Sequence, residues 1–170
     1  TYRKTGYPLT EESSIASSAS WVNSLWDISL RTLRNCMLET YMDCPYYEQL
    51  QFIMDTRLHM LFTYAVSSDT CLAKKALLDF HCGMLPNGLL PGKTPTAYLQ
   101  VISTFSLHYV FALWEYVEHT GDLAVVRLYR PDIDRILDYF AYFTRDWMSD
   151  IFVFAVSSFS AWHCDKATFS

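Results

Sequence analysis

The feature that most constrains this chain is a succession of apolar residues at helical spacing, broken by polar stretches that are alternately long and short. From Trp21 onward, Val22, Leu25, Trp26, Leu33, Cys36 and Met37 recur at intervals that place them on one side of a helix, with Ser20 positioned as its N-cap. After a break at 38–45, a second helix is expected over 46–66, with Leu50, Ile53, Leu58, Leu61 and Ala65 as its buried stripe. Ser67, Ser68 and Asp69 interrupt the pattern and start a third helix of about ten residues through Leu72, Ala76, Leu77 and Phe80.

A fourth helix is expected over 96–119, carrying Leu99, Ile102, Phe105, Leu107, Val110, Phe111, Trp114 and Val117. It should stop at Thr120-Gly121-Asp122, where Gly121 suits a left-handed C′ position and Asp122 caps the next helix. That fifth helix, 123–143, is expected to be interrupted at Pro131 and to bury Ile133, Ile136, Leu137 and Phe140. Consecutive antiparallel helices of this kind pair as hairpins that stack side by side, and six such hairpins close into an (α/α)6 toroid. The expected fold is therefore all-α, a partial (α/α)6 toroid of about two and a half hairpins.

Three stretches fall outside the helical pattern. Residues 1–9 alternate weakly and predict a short strand ending at Pro8, followed by a Ser/Glu/Ala-rich linker over 10–20. A strand without partners in a helical chain points to the end of a preceding domain. Between the third and fourth helices, Pro86-Asn87-Gly88 and Pro91-Gly92 mark a loop over 82–96, long enough to be functional or mobile. After Asp146 the periodicity fails: residues 151–156 are continuously apolar, and a Ser/Phe/Ala-rich tail runs to Ser170. The organisation expected is 1–18 as exit strand and linker, 19–146 as the helical domain, and 147–170 as a divergent tail.

Composition narrows the possible partners. With 51% apolar residues over 170 positions, the chain has the material for a core and is not a disordered segment. A net charge of −5 and the lack of any Lys/Arg run argue against a nucleic acid or an anionic membrane surface as partner. No apolar run approaches membrane-spanning length and no segment resembles a signal peptide. That pattern leaves the compartment open if the chain is one piece of a larger protein, and the oligomeric state is open as well. Cys36, Cys44, Cys71, Cys82 and Cys164 contain no CxxC pair, and the adjacent pairs His81-Cys82 and His163-Cys164 lack the spacing of a ligand set. Free thiols are expected, with neither a metal nor a cofactor.

Chemistry concentrates in residues 41–57, where Asp43, Glu48 and Asp55 stand among aromatic and apolar neighbours. Pro45 suits the first turn of a helix, so Asp43 is expected in the loop before it and Glu48 and Asp55 on it. Seven residues put those two on one face, with their Cα atoms about 10 Å apart along the axis. The bland alternative is that both face solvent, with Arg57 as a surface partner. His59, His108 and His119 lie near no nucleophile pattern and are expected in core or surface roles. Trp114 fits a core position better than a cleft, and Arg127, Arg130 and Arg135 with Asp132, Asp134 and Asp138 fit solvated helix-face pairs.

Asp43-Cys44-Pro45, then Glu48, then Asp55 before Thr56-Arg57, resembles the acidic signature of the α-L-rhamnosidases of glycoside hydrolase family 78. Residues 114–122, from Trp114 through Gly121-Asp122, resemble a helix end common in six-hairpin glycosidases; the likeness covers about residues 1–145. Met54 stands where that family usually has Gly, and Tyr46-Tyr47 replace a more polar pair. The resemblance implies inverting hydrolysis of terminal α-L-rhamnose on an (α/α)6 barrel preceded by β-sandwich domains, with a rhamnosylated glycoside or oligosaccharide as substrate. It further implies Glu48 as general acid, and Asp43 and Asp55 as the acids that hold sugar hydroxyls.

The general base implied by the resemblance is a glutamate beyond this chain, which alone is therefore expected to be inactive and marginally folded, as a truncated product would be. Geometry agrees with a distant base, since two carboxylates on one helix face approach the sugar from the same side. Two further readings remain open: a non-catalytic carbohydrate-binding remnant, and a six-hairpin glycosidase that acts on another sugar.

Overall fold

A computed structural model describes residue 1 and residues 5–143 of the chain. Five helices follow one another: α1 (Ser20–Asn35), α2 (Ile53–Val66), α3 (Cys71–Cys82), α4 (Phe105–Thr120) and α5 (Leu123–Phe143). The fold is all-α, and α4 is its centre. It packs most extensively on α2, then on α5 and α3, while α1 and α3 each lean on α2. The even-numbered helices thus pair with each other and each odd-numbered helix flanks an even one, the double layer that stacked hairpins produce.

The core follows from helical spacing. Ile53, Thr56, Met60, Thr63 and Val66 of α2 are buried, and they meet Tyr109, Val110, Leu113, Tyr116 and Val117 of α4 in one cluster with Leu72, Ala76, Leu77 and Phe80 of α3. The stripe on α2 differs from the one expected: Leu58 and Ala65 are exposed and Leu50 precedes the helix. Two threonines take inward positions instead, and Thr63 meets its polar requirement by donating to the His59 carbonyl at 2.7 Å and bonding the Tyr41 hydroxyl at 2.9 Å.

Several boundaries move. Ala19, not Ser20, is the N-cap of α1, and within α1 only Leu33 is buried; Trp21, Leu25 and Ile28 are exposed. No strand forms over residues 5–9. Tyr7 N–H donates to the Met37 carbonyl (2.9 Å), Leu9 is buried, and Glu12 docks on the end of α2 through Val66 and Ser68. That segment has a helix end for its partner instead of a sheet. The fourth helix begins at Phe105 instead of 96, because residues 92–100 fold back on themselves, Gly92 N–H donating to the Gln100 carbonyl at 2.7 Å. Tyr98 and Leu99 are left exposed as a result.

Helix α5 runs unbroken through Pro131, which lies on its exposed side, where water can take the carbonyl freed by the missing N–H. Gly121 takes the left-handed conformation (φ 70°) and Asp122 accepts the Ala124 N–H, as the sequence predicts. Asp132 is not a solvated partner: it is buried and bonded to His81 Nδ1 at 2.5 Å, while Arg130 and Asp134 do form the expected surface pair. Cys36, Cys44, Cys71 and Cys82 are free thiols. The divergent tail expected over 147–170, with the apolar run 151–156, His163 and Cys164, lies outside the described residues.

Candidate active site

The expected helix over 46–66 loses its first seven residues. Residues 45–48 form a turn, Gln49 adopts a positive φ of 54° that ends any helical run, and residues 50–52 are extended. Tertiary pairing dictates this. Phe52 forms a β-bridge with Lys93, Ile53 N–H donates to the Gly92 carbonyl, and Thr94 N–H donates to the Gln51 carbonyl, each bond 3.1 Å long. The Gln51 side chain is buried and donates both to the Thr94 carbonyl (2.9 Å) and to Asp79 (3.1 Å). The expectation of Glu48 and Asp55 on one helix face is therefore overturned: Asp55 is on α2 and Glu48 is in the loop before it.

That loop is closed at its base by Asp43. The Asp43 N–H donates to the Leu50 carbonyl and the Leu50 N–H donates to Asp43 Oδ1, both at 2.9 Å. Inside it, the Gln49 side chain donates to the Pro45 carbonyl (2.9 Å) and the Glu48 N–H points at Cys44 Sγ (3.3 Å). The apex presents Tyr46, Tyr47 and Glu48 to solvent, the two tyrosine rings edge to face at 5.0 Å. Among the described residues no hydrogen bond or ion pair engages the Glu48 carboxylate, so it is available to an incoming molecule.

Asp55 sits half-buried in the first turn of α2, where the positive end of the helix dipole favours a carboxylate. Its field reaches two imidazoles. Burial pushes His59 below its usual range, and the Asp55 and Asp43 carboxylates partly oppose that shift, so the charge of both acids reaches this ring. His108 on α4 is likewise lowered, by burial and then by Arg57, against Glu115 and Asp55. His59 stacks on Tyr41 with ring centres 5.9 Å apart.

Arg57 is not a surface partner of Glu48 or Asp55. It crosses to α4 and grips Glu115 with two donors, Nε to Oε2 at 2.9 Å and Nη2 to Oε1 at 2.5 Å, while Nη1 meets His108 Nδ1 at 3.3 Å. The guanidinium also lies 4.9 Å from the centre of the Phe111 ring. This cluster beside Asp55 is what sequence reading missed. Arg57 belongs to the recognised motif, but nothing in the pattern announces a partner 58 positions away. An apolar groove of about 380 Å³ lies between α1 and α2, lined by Trp26, Leu30, Leu33, Phe62 and Val66 with His59 at its edge; none of the three acids lines it. No cluster of His, Cys, Asp and Glu suited to a metal occurs among the described residues.

The comparisons agree with this architecture. The sequence model of the bacterial alpha-L-rhamnosidase 6 hairpin glycosidase domain matches residues 10–163. The crystal structure of a glycoside hydrolase family 78 rhamnosidase of Bacillus sp. GL1 superposes with a TM-score of 0.79 at 30% identity, over 83% of this chain and 15% of that one. A rhamnosidase from Klebsiella oxytoca with rhamnose bound gives 0.66 at 22% identity, over 72% of this chain and 25% of that one, a likeness of fold. The chain thus spans between a seventh and a quarter of the length of these two structures. No curated protein sequence matches it. By the match over residues 10–163 and the helical hairpins that carry it, the chain belongs to the family of bacterial α-L-rhamnosidase six-hairpin glycosidase domains.

Proposed function

We propose that these residues form one wall of the active site of an inverting glycosidase that removes terminal α-L-rhamnose, with Glu48 as the general acid. The observation that carries this reading is the clasped loop 43–50, which holds an unengaged carboxylate in solvent just ahead of the helix that bears Asp55. The similar Bacillus structure, at 30% identity, is a rhamnosidase, which supports the sugar. In the reaction Glu48 gives its proton to the glycosidic oxygen as the bond to the anomeric carbon breaks. A base on the opposite side of the ring takes a proton from the attacking water, with the two carboxyl groups about 6.5–9.5 Å apart.

Asp43 and Asp55 accept hydrogen bonds from sugar hydroxyls in this scheme. Asp43 Oδ1 already holds Leu50, so its other oxygen is the one left for substrate. Neither of these acids is the base, which comes from a part of the toroid that this chain does not supply. Glu48 and Asp55 sit on different segments, so their separation is no longer tied to a helical repeat.

Hydrolysis of an aryl α-L-rhamnoside by a complete six-hairpin domain carrying these residues tests the assignment. The E48Q variant should lose at least about 100-fold in kcat, the usual contribution of a general acid. Equal turnover by both proteins removes Glu48 from the mechanism. Rhamnose binding without turnover in either points to the carbohydrate-binding remnant, and hydrolysis of a different aryl glycoside to another sugar specificity.

A further inference from the structure

The tautomer of His108 follows from its neighbour. A guanidinium can only donate, so the contact between Arg57 Nη1 and His108 Nδ1 requires an unprotonated Nδ1 with its lone pair toward the arginine. The ring proton is then on Nε2, at the edge of the imidazole turned away from Arg57. The tautomer is held firmly, because Arg57 is itself fixed by two bonds to Glu115 and by the Phe111 ring.

His108 also has a defined place relative to Asp55. The Phe52 ring, at the N-cap of α2, meets Phe105 edge to face at 6.5 Å, and Phe105 meets His108 edge to face at 5.9 Å. Phe111 flanks the imidazole on the next turn at 6.5 Å. Through Phe105 the imidazole is thus linked to the N-terminal end of α2, whose first turn bears Asp55, and the Asp55 charge is felt at the ring. An N–H donor fixed between apolar rings, within the field of a carboxylate acceptor, matches the alternating polar and apolar surface of a deoxy-sugar.

We propose that His108 is a substrate-binding residue whose Nε2–H, oriented by Arg57, donates a hydrogen bond to a hydroxyl of the sugar held by Asp55. This rests on the reading of the site as a rhamnoside site and adds to it the donor on the α4 side. Protonating the ring would destroy the Arg57 contact, so His108 acts only as a neutral donor and transfers no proton.

The test is a titration with L-rhamnose of a complete six-hairpin domain carrying these residues, 15N-labelled at histidine and followed through the imidazole nitrogens of His108, alongside the variants H108F, H108Q and D55N. The expected result has three parts. Free His108 is the Nε2–H tautomer, rhamnose shifts its Nε2 resonance, and H108F binds about tenfold more weakly while H108Q, which keeps a donor, stays near wild type. An Nδ1–H tautomer, or an Nε2 resonance unmoved at saturating rhamnose, overturns the proposal even if H108F does not fold. Binding weakened by D55N but not by H108F overturns this proposal and leaves the site reading intact. A wild-type domain that does not bind rhamnose overturns both.

Discussion

Asp43 and Leu50 are joined twice over, main chain to main chain and carboxylate to main chain, each bond 2.9 Å long. The seven-residue step from one to the other is thereby folded into a closed loop with Glu48 near its apex. Replacing Asp43 by Ala removes the carboxylate bond but leaves the backbone one. The expected cost is about 1–2 kcal/mol, concentrated in this loop. Amide exchange should show the Leu50 N–H losing protection while the amides of α3 keep theirs.

The Arg57–Glu115 pair ties α2 to α4 from half-buried positions, with side chains 23% and 16% exposed. Truncating either partner strands the other charge, and about 2 kcal/mol of stability should be lost in R57A or E115A. The double variant should lose less than the sum of the two, because it leaves no stranded charge. Urea unfolding of the four proteins measures this coupling.

Acid should destabilise the chain well before its carboxylates titrate. His59 and His108 are both held below 6.5 by burial, helped at His108 by Arg57, whereas in the unfolded chain they take up protons near 6.5. Below that value the unfolded state binds more protons, so stability falls as pH drops from 6.5 toward the folded values. Asp69 and Asp122, lowered from 3.8, contribute only at more acid pH. Thermal unfolding between pH 7 and pH 5 should show a falling Tm, with a shallower slope in H108Q. At the other extreme, burial raises Tyr41, Tyr64 and Tyr109 above 10, so stability should fall again as pH climbs past 10.

Two glycines with positive φ should respond very differently to alanine. A Cβ on Gly88 (φ 87°) would sit 2.7 Å from the Arg135 carbonyl oxygen, backbone that cannot move aside cheaply, while one on Gly121 (φ 70°) meets open space. G121A should therefore cost about 1 kcal/mol, the conformational penalty alone. G88A should cost roughly 3 kcal/mol or more, since it adds a clash that separates the 86–88 loop from α5. Thermal unfolding of the two variants side by side distinguishes the terms.

What the sequence reveals here is what local patterns encode. The existence and order of five helices followed from apolar spacing, and the Gly121–Asp122 junction followed from turn chemistry, because both depend on neighbours within a few residues. The stretch 46–52 misled for the opposite reason. Pro45 and the apolar residues after it suit a helix, yet loop 92–94 draws residues 51–53 into extended pairing, contacts spanning 39 to 43 positions that no short-range pattern contains. The early start assigned to the fourth helix failed in the same place, since Gln100 is turned back onto Gly92.

The candidate site divides along the same line. Asp43, Glu48 and Asp55 were legible as a motif, with Asp43 correctly in a loop and Asp55 on a helix. The clasp to Leu50 and the Arg57–Glu115–His108 cluster were not, because each depends on which segments meet in space. Buried Asp132 shows the cost of reading charge by sequence alone: an acid in a run of charged residues belongs to the surface on average, and here it turns inward to His81.

On the side of residues 92–94, the hydrogen bonds that fasten residues 51–53 use main-chain atoms alone, the Thr94 carbonyl that accepts the Gln51 side chain included. Lys93 and Thr94 could be exchanged for many other residues without touching those bonds, whereas deleting one residue on either side would shift the register and drag the Glu48 apex with it. The position of the Glu48 apex is therefore set by the number of residues on each side of this seam more than by which side chains they carry.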